Sequence, residues 1–211
     1  MPDTSSLILF MIAAWVLLVT PGPAVIYIVA RSIDQGRLAG IVSVLGIGVG
    51  TLFHVAAAAL GVSAILVSSA LAFNIVKYLG AAYLIYLGLQ KFFGSDAIAR
   101  PEALEPQKLT QIFYQGVVVN LLNPKTALFF FAFLPQFVDV SRGSVALQVL
   151  LLGAILVVMG IVSDGAYAVL AGTAGNWLRE NLNFLRAQRY FAGTVFIALG
   201  LTTALAGSGK K

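Results

Sequence analysis

The chain is 211 residues long, 60% hydrophobic and only 10% charged, with a net charge of +5 and a mean hydropathy of +0.96. Soluble domains carry about 25% charge, so the composition excludes a water-soluble globule and describes an integral membrane protein: one transmembrane domain over residues 1–211, with room for about six spans and none for a soluble domain. With no cysteine and one histidine there are no disulfides, no thiol chemistry and no expected metal or cofactor, and the basic residues are too dispersed to follow the phosphates of a nucleic acid.

Apolar runs predict an all-α chain of six transmembrane helices near 7–30, 39–67, 73–93, 112–137, 144–172 and 188–207. Met1-Pro2-Asp3 lacks the basic start of a signal peptide and the run behind it is too long for one, so the first helix is read as retained. That helix is interrupted by Thr20-Pro21-Gly22-Pro23. Proline removes a backbone donor and clashes with the carbonyl four residues back, so the helix kinks or unwinds there. The turn Asp34-Gln35-Gly36-Arg37 leads into the second span, where Gly46, Gly50, His54, Ala58 and Gly61 share one stripe. Gly46-Ile47-Gly48-Val49-Gly50 lies mid-helix and is a close-packing motif, not a nucleotide loop; His54 is either a packed helix contact or a proton relay.

After the third span comes the only long polar stretch, Gly94 to Gln111, a linker between two halves of three spans. The fourth span breaks at Asn123-Pro124-Lys125-Thr126. A lysine at mid-bilayer costs about 2.5–3.5 kcal/mol on insertion scales, so Lys125 either faces an internal cavity with a partner or sits nearer an interface. In the fifth span Asp164 shares a face with Gly153, Val157, Gly160 and Ala168, small residues that let a neighbouring helix approach. Trp177 with Arg179 reads as an interface anchor.

Lys77-Tyr78 and Ile85-Tyr86-Leu87-Gly88-Leu89 of the third span recur in the sixth as Arg189-Tyr190 and Ile197-Ala198-Leu199-Gly200-Leu201, at a constant offset of 112. Three spans per repeat force opposite orientations, so the expected architecture is an inverted 3+3 repeat with helices 1 and 4 broken: repeat one about 1–93, linker about 94–111, repeat two about 112–211. Leaving aside Lys125 as intramembrane and with the N-terminus outside, eight Lys and Arg counted by loop, Arg31 among them, fall on the cytoplasmic side against four outside, with Lys77 and Arg189 at helix ends and able to snorkel. That balance favours N-out and C-out.

A matched pair of broken helices, one in each half, marks the binding site of a secondary transporter. Thr20, Asn120, Asn123, Thr126 and Gln136 supply neutral donors and acceptors around the breaks. Half-helix N-termini suit a carboxylate and half-helix C-termini an ammonium, so a zwitterion fits both ends. The candidate substrate-binding residues are Thr20, Pro21, Gly22, Pro23, Asn120, Asn123, Pro124, Lys125 and Thr126, and the candidates for proton coupling are Asp164 and His54. Tyr83, Tyr86 and Tyr167 either line the cavity or pack. No residue is assigned a catalytic role: HExxH, a cysteine nucleophile and paired acids are all missing. An uncoupled channel or facilitator is the alternative to a coupled carrier, and the glycine faces suit a homodimer as well as internal packing.

Three motifs, Thr20-Pro21-Gly22-Pro23-Ala24, the stretch from Lys77 to Gly88, and Asn123-Pro124-Lys125-Thr126-Ala127 through Phe133-Leu134-Pro135-Gln136-Phe137, closely resemble the LysE/RhtB family of amino-acid exporters. The resemblance runs over nearly the whole chain, and the homoserine/threonine and leucine exporter branch is closer than the lysine/arginine branch. It implies a multi-pass protein of the bacterial inner membrane that exports amino acids by proton-driven antiport, with substrate, protons and the lipid bilayer as its partners. It also matches the family's intramembrane acid to Asp164.

Overall fold

The computed structural model describes residues 4–68, 70–93, 106–180 and 182–205, and among them every regular element is helical. Helix α1 (Thr4–Val19) ends before Thr20-Pro21-Gly22, and α2 (Pro23–Ser68) begins on the second proline, a position where the missing N–H has no intrahelical partner to lose. The first two expected spans do not map onto one helix each. Helix α2 holds the end of the first and all of the second, because within Asp34–Arg37 only Gly36 leaves helical geometry, at φ 82° and ψ 177°. Glycine alone enters that region without steric cost. The chain doubles back there: a Cβ on Gly40 would overlap the side chain of Ser32, which a straight helix would keep about 12 Å away.

Helix α3 (Ala70–Phe93) is followed by α4 (Leu109–Leu121) and α5 (Pro124–Leu128). The chain then widens into a π turn at Phe129–Phe133 and tightens into a 3₁₀ turn at Leu134–Phe137. The run expected as one interrupted helix over 112–137 is thus four short pieces, bent by 47° between Leu109–Leu121 and Pro124–Phe137. Pro124 opens the first junction, and Pro135, with no N–H for the carbonyl of Phe131, accounts for the change of helical pitch at the second. A 3₁₀ turn at Val140–Arg142 leads to α6 (Val145–Glu180) and α7 (Leu182–Leu205). Among the described residues Pro23–Gly61, which folds back at Gly36, and Val145–Thr173 each contain a stretch long and apolar enough to cross a membrane, and the bent pair is a third where it counts as one span.

Small residues set the packing. The second arm of α2 runs antiparallel to α6, with Gly40 on Ala168, Gly48 on Ile161 and Val55 on Gly153. The same arm runs alongside α4, with Gly46 under the Phe113 carbonyl and Gly50 against Asn120. Helices α3 and α7 meet in a reciprocal contact. A Cβ on Gly88 would lie 2.8 Å from the Gly193 carbonyl and against Ile197; a Cβ on Gly200 would lie 2.8 Å from the Ala81 carbonyl and against Ile85. Phe10 of α1 packs on Phe129 and Phe137, with ring centroids 5.9 and 5.4 Å apart.

The polarity is inverted relative to a soluble protein. Leu9, Ile26, Leu45, Phe53, Leu79, Val158 and Leu170 are exposed while Asn120, Asn123, Lys125, His54, Gln148 and Asp164 are buried, which suits a hydrocarbon solvent and a multi-pass membrane protein. Lys77 departs from the snorkelling expectation. It is 1% exposed, with its ammonium 5.1 Å from the Tyr78 ring centroid, so protein and not an interface surrounds it. Linker residues 94–105 and the side chains of Trp177 and Arg179 lie outside what the structure describes.

Candidate functional site

The two helix breaks come together over α6 and enclose a cavity of about 60 Å³. At roughly 10–15 Å³ per water-sized group this holds about four to six such groups. Gly22 comes from the first break; Asn120, Asn123, Lys125 and Thr126 from the second; Gly48 and Thr51 from α2; Val157, Gly160 and Asp164 from α6.

Each side chain is aimed by its local sequence. Asn123 is extended (φ −77°, ψ 107°) and caps α5, its Oδ1 accepting from the Lys125 backbone N–H at 3.1 Å, with Pro124 in the first helical position. This fixes Lys125 on the first turn of α5, 7% exposed, where its Nζ donates to the Thr20 carbonyl of the first break. Gly22 makes room for it: a Cβ there would come within 2.9 Å of Lys125 Cδ. Asn120 is the hub beneath. It donates to the Ile47 carbonyl (2.9 Å) and Thr51 Oγ1 (2.8 Å), and its Oδ1 accepts from Thr126 Oγ1 (3.0 Å) and Asn123 Nδ2 (3.4 Å). Every hydrogen-bonding position of that amide is in use.

Asp164 stands on the cavity wall, 7% exposed. Among the described residues its carboxylate has no hydrogen-bonded partner, and the nearest compensating charge it feels is that of Lys125. The small-residue face of α6 therefore has two uses. Gly153 and Ala168 at its ends pack against α2, while Val157, Gly160 and Asp164 in the middle open onto the cavity.

Of the residues nominated from sequence, Gly22, Asn120, Asn123, Lys125, Thr126 and Asp164 line the cavity. Thr20 contributes its backbone carbonyl, since its hydroxyl turns back to Val16 O at 2.7 Å. Pro21, Pro23 and Pro124 shape the breaks without lining the cavity. His54 lies behind it, with Nε2 2.9 Å from the Asn120 carbonyl and its ring stacked on Phe130. Gln136 bonds its own turn at Ala132 O, and Tyr83 and Tyr86 face outward. Sequence reasoning missed Thr51, whose only signal is a hydroxyl one residue after a packing glycine. It also missed Arg31, treated as a loop charge: it is buried and donates to Gln35, Gln107 and Gln115 at 3.0, 2.7 and 3.1 Å. Among the described residues no cluster of His, Asp and Glu is placed to hold a metal ion.

A family model described as LysE type translocator matches residues 15–207, which include both breaks and every cavity residue. The chain belongs to the LysE type translocator family. Its similarity to a homoserine/homoserine lactone efflux protein of Salmonella typhimurium is 30% identity, covering 93% of this chain and 95% of that protein. The uncharacterized membrane protein YrhP of Bacillus subtilis is 29% identical over 95% of this chain and 99% of its own length. An uncharacterized membrane protein of Pseudomonas aeruginosa is 30% identical over 88% of each. No solved structure matches the chain. A LysE translocator moves a solute and does not transform it, so this family member is a transporter and not an enzyme. An ammonium, a lone carboxylate and two helix ends in a cavity of this size can hold the head group of a small zwitterion.

Proposed function

We propose that this translocator is a secondary active exporter of small amino acids across the bacterial inner membrane, working by proton antiport with alternating access. The observation that carries the reading is the placement of the Lys125 ammonium and the Asp164 carboxylate on the wall of one small cavity between two helix breaks. Lys125 and the N-terminal end of α5 receive the substrate carboxylate; Asp164 and the Thr20 carbonyl receive its ammonium, and Asp164 takes a proton when the substrate leaves. The efflux relatives support an amino-acid substrate.

The inverted 3+3 architecture belongs to this proposal. The Gly88 and Gly200 contacts support it, because Ile85 and Ala81 stand 112 residues before Ile197 and Gly193, so that each glycine meets the repeat equivalents of what the other meets. The two repeats rock about the cavity, in an N-out, C-out orientation in the inner membrane. The test is counterflow in proteoliposomes with a panel of unlabelled amino acids and an imposed pH gradient. Saturable exchange that collapses with the gradient is expected. Flux indifferent to the gradient would mean a facilitator, and no flux with any amino acid would overturn the substrate class.

A further inference from the structure

We infer that His54 and Tyr167 are a matched pair of positioning residues, each lent by one half of the chain to cap the broken helix of the other half. The inference rests on the carrier reading above and deepens it. In a continuous helix the carbonyl of residue i accepts from the N–H of residue i+4. Pro23 stands four residues after Val19, and Pro124 four residues after Asn120. Proline has no N–H to give, so both carbonyls lose their ordinary donor at a depth where no bulk water replaces it.

Each is served by a side chain from across the molecule. The Tyr167 hydroxyl donates to the Val19 carbonyl at 2.7 Å, and His54 Nε2 lies 2.9 Å from the Asn120 carbonyl. A carbonyl only accepts, so Nε2 carries the proton in this contact. The Asn123 N–H occupies the other lone pair of Asn120 at 3.0 Å. Stacking on Phe130, with centroids 6.0 Å apart and planes 9° apart, holds the imidazole in that plane.

The arrangement is reciprocal. His54 belongs to α2, in the first half, and caps the second break; Tyr167 belongs to α6, in the second half, and caps the first. They are 113 residues apart, one more than the offset of 112 between the third and sixth spans. Neither lines the cavity, yet His54 grips a residue that lines it and Tyr167 grips the residue before the carbonyl that receives Lys125. Val19 is followed by Thr20, whose carbonyl receives Lys125, and Asn120 carries the hub amide. This moves His54 from proton coupling to positioning, because its Nε2 proton is committed to a backbone carbonyl.

The chain has no cysteine, so one introduced at Val157 reports access to the cavity without background labelling. The experiment compares Tyr167→Phe, His54→Leu and His54→Gln, the last keeping an amide N–H, for amino-acid exchange in proteoliposomes and for thiol labelling of Val157→Cys in membranes. Loss of either cap is expected to raise the KM for exchange about tenfold and to change the labelling rate several-fold. His54→Gln restores both to within about twofold, with the pH profile of the parent. A His54→Gln variant as impaired as His54→Leu, with a flattened pH profile, would make His54 a relay and overturn the proposal. So would a Tyr167→Phe variant unchanged in KM and labelling. Labelling does not require transport, so the caps can be judged even if the panel of solutes yields no exchange; Tyr167→Phe, which deletes one hydroxyl, decides the matter if His54→Leu does not reach the membrane.

Discussion

The two helix breaks are written in similar residues and end with opposite chemistry. At the first, two prolines bracket Gly22 and the hydroxyl of Thr20 is committed to Val16, so what the break presents is backbone carbonyl: Val19 to Tyr167 and Thr20 to Lys125. At the second, Asn123 caps the helix that restarts on Pro124, and the break presents the Lys125 ammonium, while the Asn120 amide donates to α2 and the Thr126 hydroxyl to Asn120 Oδ1. The difference lies in what precedes the proline. An asparagine satisfies the restarting helix with its own side chain, whereas a glycine offers only backbone. A carbonyl from one break facing an ammonium from the other is a cavity polarised before any solute enters.

The sharpest way to break that polarity is to remove its charges. Lys125→Met leaves Asp164 buried with no compensating cation and is expected to cost about 3–5 kcal/mol in stability and at least 100-fold in exchange rate. Asp164→Asn on the same background should recover much of the stability, because it removes the buried charge left uncompensated, but none of the transport. Thermal melts in detergent alongside counterflow separate the two readouts. A Lys125→Met variant that exchanges normally would move the substrate site elsewhere. The next effect is at the hub. Asn120→Ala strands the Thr126 hydroxyl and the Asn123 amide and should lower stability by about 1–3 kcal/mol, with Asn120→Asp failing to rescue it because a carboxylate cannot donate to the Ile47 carbonyl. Gly22→Ala sharpens the comparison from the other wall: its Cβ displaces the Lys125 stem, and we expect about a tenfold rise in KM at nearly unchanged stability, read from the same counterflow assay.

How much of this was legible from sequence depends on how local the signal is. Proline marks its own break, so Thr20–Pro23 and Asn123–Thr126 could be named from the chain alone, and a buried charge in an apolar run advertises itself, as Lys125 and Asp164 did. What the sequence could not say is which strangers the breaks would recruit. His54 drew attention as a lone titratable group, but its partner is a carbonyl 66 residues away, a contact with no residue-type signature. Tyr167 was one tyrosine among seven until Val19 lay beside it. Lys77 was read as a helix-end charge able to snorkel and Arg31 as a loop charge, and only the packing of α3 and the glutamines around Arg31 reveal them as buried. Glycine stripes were visible as stripes; which members would pack and which would open onto the cavity depended on the register between α2 and α6.

The smallest expected effect tests whether charge matters by being present or by being buried. Asp139, in the turn after the second break, pairs with Arg142 at 3.1 Å and accepts from Ser141 at both N (2.9 Å) and Oγ (2.6 Å). These hydrogen bonds, with Arg142 adding to them, hold its carboxyl below the usual carboxylate range. Its contribution is therefore complete above about pH 4 and fades as the pH falls through the lowered value. The group is solvated, so screening leaves little to lose, and Asp139→Ala should melt within error of the parent at neutral pH. The backbone of the same residue is another matter. Buried Gln148 accepts from the Asp139 N–H at 3.0 Å and donates to its carbonyl at 2.8 Å, and Gln148→Leu should cost about 1–3 kcal/mol by stranding both. If Asp139→Ala proved the more damaging of the two, solvated charge would be stabilising this fold, and the contrast with Lys125 and Asp164 would have to be drawn from something other than burial.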